Sequence, residues 1–97
     1  MFTTQLNDYR TLLTYSLDEY LNSFERYYQH LEALLRFVDT IGVIEVIYVV
    51  EDIRGCTCDS IIVKLNQAQE FYMVEDNQIN KCDIAEGIIA LMNSPMR

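Results

Sequence analysis

Three cysteines and one histidine are the residues of this chain whose types could bind a metal ion. Thiolates and imidazoles are the donors of structural zinc sites, which hold the metal with four ligands. The candidates are Cys56, Cys58, Cys82 and His30. Only Thr57 separates the first two cysteines, whereas zinc-binding pairs usually have about two to four intervening residues. The spacing favours ordinary turn or buried cysteines, and we predict no metal and no other cofactor.

Cys82 is the best-placed candidate for nucleophilic chemistry. It lies just before a predicted helix, and a helix N-terminus can lower the pKa of a thiol. With His30 as the base it would form a minimal nucleophile and base pair. Nothing else at motif spacing supports this pair, and a lone histidine on a helix is more often a packing or surface residue. We therefore predict no catalytic residues and no enzymatic activity.

Neighbouring acids could suggest metal binding or general acid–base catalysis. They are Asp18-Glu19, Glu51-Asp52 and Glu75-Asp76. None of these pairs lies in a calcium-binding loop, because such a loop needs a glycine at its sharp turn and residues 75–80 have none. The glycines Gly42, Gly55 and Gly87 are also too far apart to form a phosphate-binding loop.

An acidic row lies along the back of a long predicted helix. Its members, one every seven residues, are Asp18, Glu25, Glu32 and Asp39. Such residues are spaced about 10.5 Å apart along a helix axis, whereas the phosphates of one DNA strand rise by about 3.4 Å per step along the DNA axis. The row alone does not copy a DNA backbone, but Asp52, Asp59, Glu75 and Asp76 at loop ends could extend it. The simpler interpretation is a solvated helix face, and the functional one is a docking surface for a basic partner.

The acidic row requires a helix over residues 16–41, and the apolar residues there predict one. Two columns at heptad spacing contain Leu17, Phe24, Leu31 and Val38, and Tyr20, Tyr27, Leu34 and Ile41. This spacing is typical of an amphipathic helix that packs along its whole length. A third column, Leu21, Tyr28 and Leu35, indicates a second contact surface. That surface could be an N-terminal helix or the same helix of another chain.

Residues 1–15 also have helical spacing, at Leu6, Tyr9, Leu12 and Leu13. Either one helix runs from about Thr4 to Thr40, or the chain breaks before the main helix. Ser16 with Glu19 three residues later matches a capping box, in which each residue's side chain bonds the other's backbone N–H. The capping box favours a break or kink at Ser16.

Three strands are predicted after Gly42. Residues 43–53 are rich in β-branched side chains, and shorter runs of the same kind follow at 60–66 and 70–74. The short connections favour an antiparallel meander. Both faces of the first strand are apolar, and Ile47 and Val49 lie on a face that could form a homodimer contact. Residues 75–78 are expected to form a loop, and Asp83 with Glu86 predicts the start of a last helix.

The sequence therefore predicts an α+β fold in a single domain, 1–97. The expected elements are one or two N-terminal helices (the long helix about 17–40), a three-stranded antiparallel meander (about 43–53, 60–66 and 70–74), and a C-terminal helix (about 83–93). Hydrophobic residues make up 51% of the chain, so a core is possible, but a domain of 97 residues buries a modest fraction of its surface. Self-association would bury more.

Charge and cysteine count narrow the function classes. The net charge of −8 argues against direct binding to nucleic acid or to an anionic membrane, because phosphate binding needs Lys and Arg. The longest apolar run, Val46–Val50, is too short to span a bilayer, and Met1–Gln5 lacks the features of a signal peptide. Three cysteines, an odd number, argue against a closed disulfide framework. We expect a cytoplasmic protein.

Two functions remain from the sequence. The first is a non-enzymatic inhibitor or adaptor that docks an acidic surface on a basic protein, which could be one that handles nucleic acid. Immunity proteins and phage-encoded anti-defence proteins act in this way. The alternative is a structural or regulatory module that works as a homodimer, joined through the long helix or the sheet. Leu21, Tyr28, Leu35, Ile47 and Val49 are the candidate contacts of that homodimer.

Overall fold

The computed structural model describes residues 2–22, 36, 42–54, 57–65, 70–75 and 78–93, and only the backbone of residues 57–60, 75 and 78. These ranges contain six strands and two helices. In chain order they are β1 Phe2–Gln5, β2 Arg10–Tyr15, α1 Leu17–Leu21, β3 Ile44–Asp52, β4 Thr57–Leu65, β5 Phe71–Glu75, β6 Gln78–Cys82 and α2 Ile84–Asn93. The strands form one antiparallel sheet, and their order in space is their order in the chain.

The predicted fold class is wrong. A three-stranded meander with N-terminal helices was expected, and the structure has a six-stranded antiparallel sheet with two short helices in the described part. The three predicted strands correspond to β3, β4 and β5 in the middle of this sheet, and the C-terminal helix corresponds to α2. The error lies at both edges, where β1, β2 and β6 extend the sheet.

The N-terminal segment is a β-hairpin, although its apolar spacing predicted a helix. Phe2 lies opposite Thr14 and Gln5 opposite Thr11 in the β1–β2 register. The turn is organised by Asn7, whose Oδ1 accepts hydrogen bonds at 2.8 Å from the backbone N–H groups of both Tyr9 and Arg10. A side-chain oxygen that binds nearby backbone in this way competes with helix formation. Pairing of β2 with β3 then satisfies the other backbone edge.

The break at Ser16 is confirmed. The Glu19 N–H donates to Ser16 Oγ at 3.2 Å, and the Ser16 N–H donates to Glu19 Oε1 at 3.0 Å, which completes a capping box. α1 therefore begins at Leu17, directly after β2. α1 ends at Leu21, with Asn22 as its C-cap, so the prediction of one unbroken helix over about 17–40 is wrong at this point. The rest of that helix was predicted over 23–35 and 37–40, which lie outside the described residues.

The first face of the sheet carries the larger core. Its buried residues come from four strands and α1: Leu13, Tyr15, Tyr20, Ile44, Ile47, Val49, Ile61, Val63, Leu65 and Val74. α1 lies over this face through Tyr20, which is fully buried and meets the Tyr15 ring edge-on, with ring centroids 6.3 Å apart. Burial, and then the neighbouring Tyr15, raise the pKa of Tyr20.

The second face is covered by α2. Val50, Ile62, Met73 and Leu91 are buried there, and Ile84 and Ile88 of α2 pack against them. The close approach depends on Gly87, where a Cβ would lie 2.6 Å from Ile62 Cδ1. With both faces covered, the strands carry apolar side chains on both sides rather than alternating with polar ones.

β6 occupies residues that were expected to form part of a loop and the approach to the last helix. It pairs with β5 in a register that places Ile79 opposite Val74 and Cys82 opposite Phe71. Only two of its five residues are apolar, one for each face, because an edge strand has less core to reach. The composition of β6 gives only a weak strand propensity. Its backbone hydrogen bonds come from pairing with β5.

Candidate functional site

Both helices begin at the same end of the sheet. β2 and β6 run in the same direction because an even number of antiparallel steps separates them. α1 follows β2 after Ser16, and α2 follows β6 after Asp83, so their first turns lie at this end on opposite faces. At about 4.8 Å between neighbouring strands, β2 and β6 are roughly 19 Å apart.

This end of the sheet carries most of the acids whose side chains are described. Asp18 and Glu19 lie in the first turn of α1, and Glu86 lies in the first turn of α2. Glu45 is at the start of β3 and Glu70 directly precedes β5, which both start at the same end. We call this region the acidic end, made of Asp18, Glu19, Glu45, Glu70, Asp83 and Glu86.

Two lysines near the ends of β4 and β6 neutralise part of the acidic end. Lys64 Nζ lies 3.7 Å from Glu45 Oε2, and Lys81 Nζ lies 2.7 Å from Glu70 Oε1. The six carboxylates and two lysines sum to a charge of about −4 there, and the N-terminal ammonium, which hydrogen-bonds Glu19, offsets one of the negative charges. The acidic end is therefore a local concentration of negative charge.

Glu70 is held in its charged form by two neighbouring side chains. It accepts hydrogen bonds from Lys81 at 2.7 Å and from the Tyr72 hydroxyl at 3.1 Å. The Lys81 hydrogen bond, followed by that from Tyr72, lowers the pKa of Glu70. The same bond to Glu70 raises the pKa of Lys81, and burial together with the bond to Glu70 raises that of Tyr72. Glu70 and Lys81 are thus both held in their charged forms.

Asp18, Asp83 and Glu86 are exposed, and no lysine or arginine within the described ranges forms an ion pair with them. Asp83 caps α2, since its Oδ1 accepts a hydrogen bond at 2.8 Å from the Ala85 N–H. Acids in a first turn also stabilise a helix through its dipole. These residues thus have a structural role, and their exposed charge is available to a second molecule.

The opposite end of the sheet also carries acids, at Asp8, Glu51, Asp52, Asp59 and Glu75, together with Arg10 and Arg54. Asp52 is only 4% exposed, and it accepts hydrogen bonds from the Arg54 backbone N–H at 3.0 Å and from Arg54 Nε at 2.8 Å. Arg10 lies opposite Asp52 in the β2–β3 register, and its Nη1 donates to the Leu91 carbonyl at 3.1 Å, near the C-terminus of α2. Asp52 was predicted to extend the negative surface, but its carboxylate is held inside the protein.

The other predicted members of the negative surface are only partly placed. Asp18 is exposed at the acidic end, whereas Glu75 ends β5 at the opposite end of the sheet and only its backbone is described. Glu25, Glu32, Asp39 and Asp76 lie outside the described residues. The structure therefore adds Glu45, Glu70, Asp83 and Glu86 to Asp18, a grouping that the sequence did not predict.

A clue to this grouping was present in the sequence. Ser16 with Glu19 and Asp83 with Glu86 were both interpreted as helix starts, which place acids in first turns. Which end of the sheet each helix starts from depends on how many times the chain reverses. Without β6, α2 would follow β5 and begin at the opposite end. The undetected strand is the reason that the acidic end was missed.

The metal and nucleophile candidates are not brought together in the described part. Cys82 is a half-buried free thiol at the end of β6. Burial, and then the charges of Glu86 and Asp83, raise its pKa, opposite to the lowering expected beside a helix N-terminus. Only the backbone of Cys58 is described, and Cys56 and His30 lie outside the described residues. Among the described residues, no group of three or more His, Cys, Asp or Glu side chains could hold a metal ion.

The predicted self-association residues lie mostly in the interior or outside the described part. Ile47 and Val49 are fully buried in the core of the first face. Leu21 is half-buried at the end of α1, and Tyr28 and Leu35 lie outside the described residues. A second chain could reach Ile47 or Val49 only if the core opened.

In the part of the chain that the structure describes, no helix has the length and apolar character needed to cross a membrane. No protein-family model, curated protein or solved structure matches the chain.

Proposed function

We propose that this protein is a small non-enzymatic binding module that docks its acidic end on a basic surface of another protein. The observation that supports the proposal is the convergence of two helix starts, with their exposed acids, at one end of the sheet. A local excess of one charge attracts a complementary surface over about one Debye length, near 8 Å at physiological salt, and accelerates the encounter.

The acids of the two ends differ in how they are held. At the opposite end the Asp52 carboxylate is buried and bonded by Arg54. At the acidic end Asp18, Asp83 and Glu86 are exposed and form no ion pair with a described lysine or arginine. The acidic end also has rigid support, because Ser16 and Asp83 cap the helices on which the acids lie. Preformed positions reduce the ordering cost of binding.

Proteins that handle nucleic acid are the class of partner with the required basic surface. On this proposal the chain is an inhibitor or adaptor, as phage anti-defence or immunity-type proteins are, and it occupies a surface otherwise available to phosphates. It does not bind nucleic acid or an anionic membrane itself, since its own charge opposes both. We place it in the cytoplasm, where a free thiol such as Cys82 remains reduced.

The test compares variants of the acidic end as baits for partner capture from cells that contain the protein. Asp18→Asn, Asp83→Asn and Glu86→Gln each remove one charge, and the asparagine introduced by the second of these can still cap α2. Asp8→Asn removes the same charge from an exposed position in the β1–β2 turn, at the opposite end, and is the matched control. Each bait is washed at low and at high salt.

We expect the wild type and Asp8→Asn to retain the same basic protein at low salt. Combining the three acidic-end substitutions should reduce its recovery by about tenfold or more, as should a rise from about 50 to 300 mM salt. Unchanged recovery by the triple variant would contradict the proposal. So would an equal loss with Asp8→Asn, since that would show dependence on total charge rather than on the acidic end.

A further inference from the structure

β1 lacks the common protections of an edge strand against pairing with a further strand. β1 and β6 are the two edges of the sheet that the described residues form. The β6 edge carries Lys81, an exposed charge of the kind that opposes the addition of a strand. The β1 segment Phe2–Gln5 contains no charge, proline or glycine, and all four of its residues are exposed. The β1 edge is therefore open to another strand.

Hydrogen bonds at the start of β2 show which of its residues bond which neighbour. In an antiparallel pair, alternate residues direct both N–H and C=O towards the partner strand, and the others direct both away. Just before β2, the Tyr9 carbonyl accepts from the Ile53 N–H at 2.7 Å, on the β3 side. The carbonyl of the next residue, Arg10, accepts from the Leu6 N–H at 3.0 Å, on the β1 side. By alternation, the even-numbered residues of β2 bond β1.

Two residues of β1 therefore direct their backbone groups away from the sheet. Phe2 and Thr4 lie opposite even-numbered residues of β2 in the register, so these two residues bond β2. Thr3 and Gln5 alternate with them, and their N–H and C=O groups point outwards. An antiparallel strand added at this edge would form about four backbone hydrogen bonds with these groups.

The side chains of β1 alternate between the two faces of the sheet. Thr3 lies opposite Leu13, whose side chain belongs to the core of the first face, the face that α1 covers. Phe2 and Thr4 point to the second face, because Leu12, opposite Thr4, packs against the second core. Phe2 is 78% exposed there. The side chains of an added strand would alternate between the same two faces.

Acids lie beside β1 on the first face. β1 starts at the acidic end, since Phe2 lies opposite Thr14 near the end of β2. Asp18 and Glu19 are in the first turn of α1; Asp18 is exposed, and Glu19 accepts a hydrogen bond from the N-terminal ammonium. A strand added beyond β1 lies about 10 Å from β2. A long cationic side chain on that strand therefore comes within about one Debye length, near 8 Å, of Asp18.

We propose that the β1 edge binds a basic, extended segment of the partner protein, added antiparallel to β1. A Lys or Arg opposite Thr3 projects over the first face towards Asp18, and an apolar residue opposite Phe2 contacts its side chain on the second face. The docking element is a strand in which basic and apolar residues alternate. This inference rests on the proposed function, and it specifies which part of the partner meets the acidic end.

Charge selects this occupant for the β1 edge. A net charge of −8 repels an acidic segment and also a second copy of the chain. It attracts a basic segment, most strongly where exposed acids lie close by, as Asp18 does at the start of β1. The same segment is disfavoured at the β6 edge by the positive charge of Lys81.

A synthetic peptide and the purified full chain test the proposal. The probe is the capped hexapeptide Lys-Val-Lys-Tyr-Lys-Val, and the control is Lys-Lys-Lys-Val-Val-Tyr, which has the same composition and charge without the alternation. Four residues of β1 bury far less than the roughly 800 Å² per partner of a standard interface. We therefore expect a dissociation constant of the order of 100 μM for the probe, and at least about fivefold weaker binding of the control.

Solvent exchange of individual amides, measured by NMR, shows where the probe binds. At about 1 mM probe, roughly ten times the expected dissociation constant, exchange of the Thr3 and Gln5 amides should slow by about tenfold. The Thr4 amide already bonds β2 and should change less. A basic peptide that is held only by the charges of the acidic end would leave the exchange of Thr3 and Gln5 unchanged.

Two substitutions at one position separate backbone pairing from side-chain contact. Thr3→Pro removes an outward N–H and keeps the bonds to β2, and proline is tolerated where the N–H of an edge strand faces solvent. Thr3→Ala keeps that N–H and is the matched control. Thr3→Pro should weaken binding of the probe by about fivefold or more, and Thr3→Ala by less than about twofold. Circular dichroism checks folding, and the exchange measurement on the wild type needs no variant.

Two results would overturn the proposal. One is the absence of binding by the probe at about 1 mM. The other is binding that leaves the exchange of Thr3 and Gln5 unchanged, or that does not distinguish the probe from the control peptide. If capture of a basic protein still depended on Asp18, Asp83 and Glu86, either result would reject the β1 edge alone and leave the proposed function standing.

Discussion

Single residues decide where the chain turns and where its helices begin. Asn7 binds two backbone N–H groups of its turn, Ser16 and Glu19 cap α1 reciprocally, and Asp83 caps α2. Each of these contacts spans two or three residues, so it depends on local sequence. The capping at Ser16 was predicted for this reason. The role of Asn7 was not, because the helical spacing of nearby apolar residues pointed to a different structure.

Glu70 supports a prediction about pH. Its pKa is lowered in the folded protein, so the charged carboxylate stabilises the fold above the ordinary value of 4.5, and this contribution is lost as pH falls through the lowered pKa. The pKa of Lys81 is raised, so its contribution is present below 10.5 and lost at higher pH. Glu70→Gln should therefore lower the midpoint of thermal unfolding at pH 7, and the difference from wild type should shrink towards about pH 3.

Thermal unfolding of Glu86→Gln is the control for that experiment. Glu86 is exposed and has no ion pair with a described lysine or arginine, so its substitution should give a smaller change at pH 7. A Glu70→Gln difference that is constant with pH would contradict the assignment. It would show that Glu70 acts through packing and not through its charge.

At the scale of elements, α2 shows how a helix and a sheet face fit together. Gly87 allows the helix backbone to approach Ile62 of β4, and Leu91 fills the second core. The helix itself was predicted, from Asp83 and Glu86 at its start. The close approach was not, because nothing local distinguishes a glycine that meets a strand from one that weakens a helix.

α2 also supports a prediction with an internal control. Leu91 is fully buried, whereas Ile89, on the same helix, is 58% exposed. Leu91→Ala should lower the free energy of unfolding by about 2–5 kcal/mol, because it removes buried methyl groups and leaves a cavity. Ile89→Ala should change it by less than about 0.5 kcal/mol. Urea unfolding measures both, and similar losses would contradict the packing of α2 on the second face.

At the scale of the whole molecule, the order of strands in the sheet predicts a gradient of stability. β3 and β4 are the central strands and hold six fully buried residues with paired neighbours on both sides. β1 and β6 are edges, and every residue of β1 is exposed. Amides of β3 and β4 should exchange with solvent at least about 100-fold more slowly than those of β1. Hydrogen exchange followed by NMR measures this difference.

Equal protection of β1 and β3 in that experiment would mean that the hairpin of β1 and β2 unfolds only with the core. The expected difference in exchange between β1 and β3 has a simple cause. An edge strand is paired on one side only, so fewer hydrogen bonds break when it opens. The same topology brings the acids in the first turns of both helices to one end of the sheet, because β2 and β6 run in the same direction. Charge distribution is thus a property of the whole sheet.

The sequence by itself determined the positions of β3, β4, β5 and α2 and the break at Ser16. Runs of β-branched residues, amphipathic spacing and capping pairs are local, so they are present in the chain before it folds. Only the tertiary structure decided that residues 2–5, 10–15 and 78–82 are strands. β2 and β6 are held by pairing with β3 and β5, and β1 by pairing with β2, and none of these pairings is indicated by the local sequence. The tertiary structure also decided that the helices share an end, since this depends on the number of reversals between them.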